Sequence, residues 1–543
     1  MTSRALAWLL GAPLVAFAVF PLVMLFAKTT ATAGPWLDEA TTEALWGTVS
    51  TSAGAASFAF AVGLPMALVL GRCDVPARAW LEGAFTLPSA IPPYIWTMGW
   101  IALANPRTGF LNVVAGHSWL NIYGRLGIAF VLGTSALPLV FLPARAALAR
   151  VDPCLEEAAR MAGAGPWRTL RDVSFPLALP AALSGTTLVF LFSAASFGVP
   201  YLLGVAASSP THTLTTRIYG KTLEGTTGLG DAARLSLWLL VLSFAVMALA
   251  SVAGRSGRVR LLSGKGLSER RLALGSARLW VTGAVVALAL GLVAAPLVAV
   301  VLSSLQSPKG LSAGLTLAHW EGVLTHPRTL DSLLRSVGLA AIASAVVVLL
   351  GLGFAFVAPR TGRTGQALKF LAEWPYAVPG TVLALGWLIA FGPEWRFIVA
   401  QRLTFVLALG NSLWLVGVAY VIKHLAMGVR SATDALAQVD TSLSEAARLC
   451  GAHSAQAFRH AVWPQIRGAL LAAATLCFLT CLTELTMSVL IVPSGSELLG
   501  TLIFEMQSYA DPSGAAVIAT FVVLLVVACM VAIHSRPRVG ARP

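Results

Sequence analysis

The sequence predicts an all-α polytopic membrane protein of about twelve spans, arranged as two parallel six-helix repeats. Three observations carry that expectation. Hydrophobic residues make up 57% of the 543 and charged residues 11%, against roughly 45–50% and 25% in soluble domains. Asp, Glu, Lys and Arg leave twelve long gaps, at 5–27, 44–71, 83–106, 126–144, 173–216, 235–254, 279–308, 336–359, 374–393, 403–422, 468–496 and 512–535. The shortest is 19 residues, close to the ~20 that cross a hydrocarbon core. Finally, a segment of the first half returns in the second at a constant offset of 288. A membrane barrel would read instead as short alternating strands.

Taken in order, the first run follows only Arg4, without a small-residue cleavage site, and reads as a retained span. The third and ninth carry prolines at Pro88, Pro92, Pro93, Pro375 and Pro379. Proline removes a backbone donor and kinks a helix that its neighbours must then repair. Two readings stand: control of helix shape, or a bend lining a pathway. Between the sixth and seventh runs, 255–278 holds seven basic residues and one acid among Gly and Ser, which reads as a solvated connector. The eleventh run contains Glu484, the single formal charge inside any run. The reading divides the chain into 1–43 (first span and loop), 44–254 (first transmembrane domain), 255–335 (linker, seventh span and loop), 336–535 (second transmembrane domain) and 536–543 (tail).

The net charge of +14 is distributed unevenly. Alternate loops on the side of the termini hold 26 of the 37 Lys and Arg, and the opposite side holds 11. Basic excess marks the cytoplasmic face, so both termini are expected there, with the bilayer and not nucleic acid as the charged partner. Cysteines form no Cys-x-x-Cys pair, so neither a zinc site nor a redox motif is expected. His117, His212, His319 and His326 fall in loops of the opposite side; an isolated loop histidine is a weak metal ligand, and no metal site or cofactor is expected.

The duplication runs deep. VDPCLEEAARMAGAGPWRTLRDVSFP (151–176) and VDTSLSEAARLCGAHSAQAFRHAVWP (439–464) share eleven of 26 positions without a gap. LPSAIPPYIWTMGW (87–100) matches WPYAVPGTVLALGW (374–387) at offset 287. Asp152-Pro153 is a good N-cap and first-turn pair, and Ser442-x-x-Glu445 has capping-box spacing. Gly163 and Gly451 are placed to end a short helix in a left-handed cap.

These segments resemble the EAA loop of ABC importer permeases: Glu157-Ala158-Ala159 with Gly163, Val173 and Phe175-Pro176, and Glu445-Ala446-Ala447 with Gly451, Ala461 and Trp463-Pro464. Ala461 and the aromatic before each proline depart from the family's aliphatic pattern, all within the second short helix. The resemblance implies a type I permease fold in a bacterial inner membrane, with two loops that dock two separate ATPase subunits. It also implies a periplasmic binding protein as substrate donor. The chain itself lacks a phosphate loop: Gly220-Lys221-Thr222 would need Gly where Thr215 stands. The chain is therefore expected to be a non-catalytic transport subunit.

SFGVPYLLG (196–204), LTTRIY (214–219) and TELTMSVLIVPSGSELLGTLIFE (483–505) look like fused ferric-iron permeases, though thiamine, sulfate, polyamine and phosphonate permeases are similar. A secondary carrier fits less well, since GRCDVPAR (71–78) departs from the carriers' loop motif. Ser196 is the repeat counterpart of Glu484. The two are candidates for a translocation path, because an intramembrane carboxylate faces a cavity or a partner by default. The competing reading is that Glu484 only holds helices together.

Overall fold

The structure is a computed structural model that describes residues 10–255, 271–307, 314–393 and 395–534, apart from 33, 401–402, 408 and 411. The central part of the basic linker, 256–270, and the tail 536–543 lie outside the described residues.

Among those residues, ten helices are long and apolar enough to cross a membrane. They correspond to ten of the twelve apolar runs. The other two, the third and ninth, are the proline-rich pair, and both are broken. In the ninth, Arg363–Ala377 and Gly380–Phe391 meet at 107°. In the third, Arg78–Thr86 and the 3-10 turn Leu87–Ala90 precede Pro93–Ala104. Pro92 (ψ 135°) and Pro379 (ψ 137°) each stand at the restart. The expected kinks are therefore complete breaks, because an extended residue follows each 3-10 turn before the next helix begins.

A second departure concerns the tenth run. Residues Trp395–Ala400 and Leu403–Leu407 form an antiparallel hairpin, and the helix starts only at Leu413, where the Ser412 hydroxyl caps the Trp414 N–H at 3.1 Å. The spanning helix is thus Leu413–Ala437, shifted ten residues from the start of the run. Lys423 becomes its eleventh residue, and Glu484 is no longer the only charge at span depth.

The repeat holds element by element. Pro153–Met161, Pro166–Thr169, the π turn Leu170–Ser174 and Phe175–Ala195 are followed in the second half by Thr441–Leu449, Ser454–Ala457, Phe458–Val462 and Trp463–Leu482. Each begins 288 residues later.

The halves also exchange their first spans. A Cβ on Gly386 would lie 3.0 Å from the Pro21 carbonyl, and Phe17 stacks on Trp387 at 5.8 Å. In the mirror arrangement, Gly99 admits the Pro296 carbonyl, with only 2.2 Å to a Cβ built there. The first span of each half therefore packs on the broken helix of the other. Close backbone approach through small residues is the packing currency of membrane helices, and without a side chain these glycines permit it.

Candidate functional site

The two repeated elbows have the same local geometry. Asp152 (φ −64°, ψ 120°) and Asp440 (φ −67°, ψ 122°) are N-caps whose carboxylates accept the N–H of Cys154 and Ser442, each at 2.9 Å. Those backbone donors hold both carboxyls below the usual aspartate range. The capping-box expectation at Ser442 is corrected: Asp440 takes the cap, so Ser442 sits inside the first turn as the capped donor.

At the other end Gly163 (φ +85°) and Gly451 (φ +89°) adopt the left-handed conformation. Gly163 N donates to Arg160 O at 2.9 Å and Ala164 N to Ala159 O at 3.0 Å; Gly451 and Ala452 repeat both bonds at the same lengths onto Arg448 and Ala447. This paired closure is a Schellman cap.

Between the caps lie the Glu-Ala-Ala turns. Glu157 is half-buried and Glu445 exposed; Ala158 and Ala446 are exposed, Ala159 and Ala447 half-buried. Beside them Met161 is 89% and Leu449 90% exposed, with Leu155 and Leu443 also largely open. Apolar side chains are thus left uncovered at equivalent places on the two short helices, beside small alanines.

Sequence reasoning missed the neighbouring Glu156. It is buried, and its Oε1 lies 3.0 Å from Arg72 Nε and accepts the Ser174 hydroxyl at 2.8 Å. Helical phase was the available signal, since residue 156 faces the membrane domain while 157 sits one position around the helix.

The central region is reached through Phe175–Ala195 and Trp463–Leu482. Phe197 and Leu485 are repeat counterparts, and a Cβ on Gly198 would lie 3.0 Å from Leu485 Cδ2. Segments related by the duplication that touch one another must lie at the pseudo-two-fold axis. Ser196 and Glu484 flank this contact, and both are half-buried. Ser196 ends its helix and its carbonyl accepts the Thr215 hydroxyl at 2.8 Å.

Glu484 accepts the Met487 N–H at 3.0 Å, the Ser488 N–H at 3.1 Å and the Ser488 hydroxyl at 2.9 Å, so it caps the turn Ser488–Ile491. Ser488 in turn meets the Tyr420 hydroxyl at 2.6 Å. Lys423, on the same helix as Tyr420, donates to the Val378 carbonyl at the break of the ninth run and interacts electrostatically with Glu484. Lys423 was missed because the run was bounded by charges, which placed it at an edge.

Phe175–Ala195 is 21 residues long, which at 1.5 Å per residue carries the chain about 30 Å from the elbow. Beyond it an aromatic cluster joins the halves. Tyr201 and Tyr509 share a hydrogen bond at 2.7 Å, and Phe504 lies 4.9 Å from the Tyr201 ring and 5.5 Å from that of Phe197. The four loop histidines do not converge with other ligands: among the described residues no three His, Cys, Asp or Glu side chains gather.

Residues 63–256 and 347–536 each match the family "Binding-protein-dependent transport system inner membrane component". The chain belongs to that family. Its relatives include the ferric transport system permease protein FbpB of Actinobacillus pleuropneumoniae, 26% identical over 76% of this chain and 59% of the relative. The probable ABC transporter permease protein y4fN of Sinorhizobium fredii is 28% identical over 89% and 85% respectively. The molybdenum transport system permease protein ModB of Escherichia coli is 31% identical over 35% of this chain and 83% of its own length. The chain thus spans under two thirds of the FbpB relative, while ModB matches a stretch about the size of one half. As an inner membrane component of such a system, the chain carries the family's unit twice, with an elbow in each.

Proposed function

We propose that the chain is the permease of an ATP-driven importer. It receives ferric iron from a periplasmic binding protein and passes it along the axis between its halves, while separate ATPase subunits on the two elbows supply the energy. The observation that carries the reading is the pair of elbows, matched in caps, hydrogen bonds and exposed apolar residues at one fixed offset. Both termini and both elbows then face the cytoplasm, in keeping with the excess of basic residues on that side. Glu157, Ala158, Ala159, Glu445, Ala446 and Ala447 form the docking surface, and Gly163 and Gly451 set its turn.

Ferric iron is favoured over oxyanions by two considerations. Relatives named for ferric transport align along 76% and 86% of the chain, whereas the molybdenum relative covers 35%. A half-buried carboxylate at the axis also suits a cationic cargo better than molybdate or sulfate.

The test is uptake into proteoliposomes holding the chain, its ATPase and its binding protein. Labelled ferric iron should accumulate with ATP, while molybdate, sulfate and thiamine should not. Accumulation of one of those three in place of iron would overturn the substrate, and ATP-independent uptake of any of them would overturn the importer reading.

A further inference from the structure

The elbows match in their own geometry but not in how they are fastened to the spans. Arg72 is the last residue of Glu39–Arg72, and its side chain and that of Glu156 are 3% and 5% exposed. Its guanidinium meets Glu156 Oε1 at 3.0 Å and donates from Nη2 to the Leu148 carbonyl at 2.9 Å. Ser174 donates to the same Glu156 oxygen from the π turn that leads into Phe175–Ala195. One buried cluster therefore ties the first elbow helix to the ends of two spans and to the approach of a third.

The same place is stitched to the chain entering the second half. Leu272 N donates to the Arg72 carbonyl at 2.8 Å, Asp74 N to the Leu272 carbonyl at 3.2 Å, and Leu274 N to Asp74 Oδ1 at 2.9 Å.

At offset 288 the corresponding residues are Arg360, Leu436, Ser444 and Val462. The arginine is kept, but position 444 offers no carboxylate and position 462 no hydroxyl. Arg360 is exposed and turns to the Phe356 carbonyl and ring instead. A buried pair of opposite charges with a further hydrogen bond gives a fixed geometry, since breaking it strands a charge away from water.

We infer that Arg72, Glu156 and Ser174 are positioning residues that lock the first elbow rigidly to the membrane-spanning helices, and that the second elbow, lacking this cluster, is the compliant one. A displacement of a docked ATPase is then transmitted through a buried ion pair in the first half, and in the second through apolar packing such as that of Phe458 on Phe356, at 5.5 Å between rings. The inference rests on the reading that the elbows dock ATPases, but its structural half stands apart from that reading and is measured separately.

Hydrogen exchange is followed in the full chain in nanodiscs, without ATPase. Amides of 156–161 should exchange at least tenfold more slowly than those of 444–449. Glu156→Gln should remove the difference, and the reversed pair Arg72→Glu with Glu156→Arg should restore part of it. Installing the cluster in the second half, with Ser444→Glu and Val462→Ser, should slow exchange of 444–449 several-fold. Equal exchange in the two wild-type elbows, or no slowing in the installed variant, overturns the inference even if Glu156→Gln fails to fold. With ATPase added, Glu156→Gln should lower substrate moved per ATP hydrolysed, and the reversed pair should recover it. An unchanged ratio overturns the transmission role. Failure of wild-type chain to bind ATPase at all would remove the docking reading while leaving the exchange result to judge the lock.

Discussion

Glu484 presents both oxygens to the first turn of a short helix at the axis, and those bonds have opposite implications for its two readings. A capping side chain holds structure, with removal costing roughly 0.5–2 kcal/mol. On the pathway reading, its charge also acts on the passing substrate. Glu484→Gln separates the two, because the amide keeps an acceptor for the cap and loses the charge. Expected are normal insertion, a melting temperature within a few degrees of wild type, and uptake reduced more than tenfold; wild-type uptake, or a chain that does not fold, would assign Glu484 to structure. At this scale the sequence reached only part of the cluster. An uncompensated carboxylate inside an apolar run is visible without coordinates. Lys423 was not, because its depth depends on where its helix begins, and a hairpin and the Ser412 cap decide that. Glu156 and Arg72 were hidden for a related reason: 84 residues separate them, and no local pattern announces a pair so distant.

The elbow is a short helix held by an Asp cap and closed by a left-handed glycine. Nothing lies within 4 Å of a Cβ built on Gly163 or Gly451, so a substitution there strains the backbone without a clash. Gly163→Val with Gly451→Val should cost about 1–2 kcal/mol at each site, concentrated in the turn. The expected result is a chain that inserts normally, binds ATPase more weakly in pull-down and has lost uptake. Wild-type uptake by the double variant would dismiss the elbow as the coupling element. Elbow geometry was legible because caps and turns depend on a few neighbouring residues. The breaks at Pro92 and Pro379 were legible as sites, but the 107° bend of the ninth run was not, since proline marks where a helix stops and not the direction in which the chain restarts. The strand Leu403–Leu407 escaped because a run without charge fits a buried strand as well as a span.

For the molecule as a whole, two elbows predict two ATPases per chain. Native mass spectrometry of the assembled complex should give one chain with two ATPase subunits; a one-to-one complex would contradict the reading. The parallel duplication was the most legible feature of all, because a constant offset survives divergence that erases individual side chains. Which surfaces of the halves meet was not legible. It emerged from Gly198 against Leu485, from the Tyr201–Tyr509 hydrogen bond, and from first spans that cross to the opposite half.

The fusion of both halves into one polypeptide has an evolutionary consequence. In a permease assembled from two copies of a single half, every substitution appears twice, and an acid suited to one side is imposed on the other. Here codon 156 and codon 444 mutate independently, so one side can hold glutamate and the other serine. Joining the genes end to end thus converts an obligatory symmetry into two separately tunable parts, each free to specialise for its own neighbour without burdening its twin.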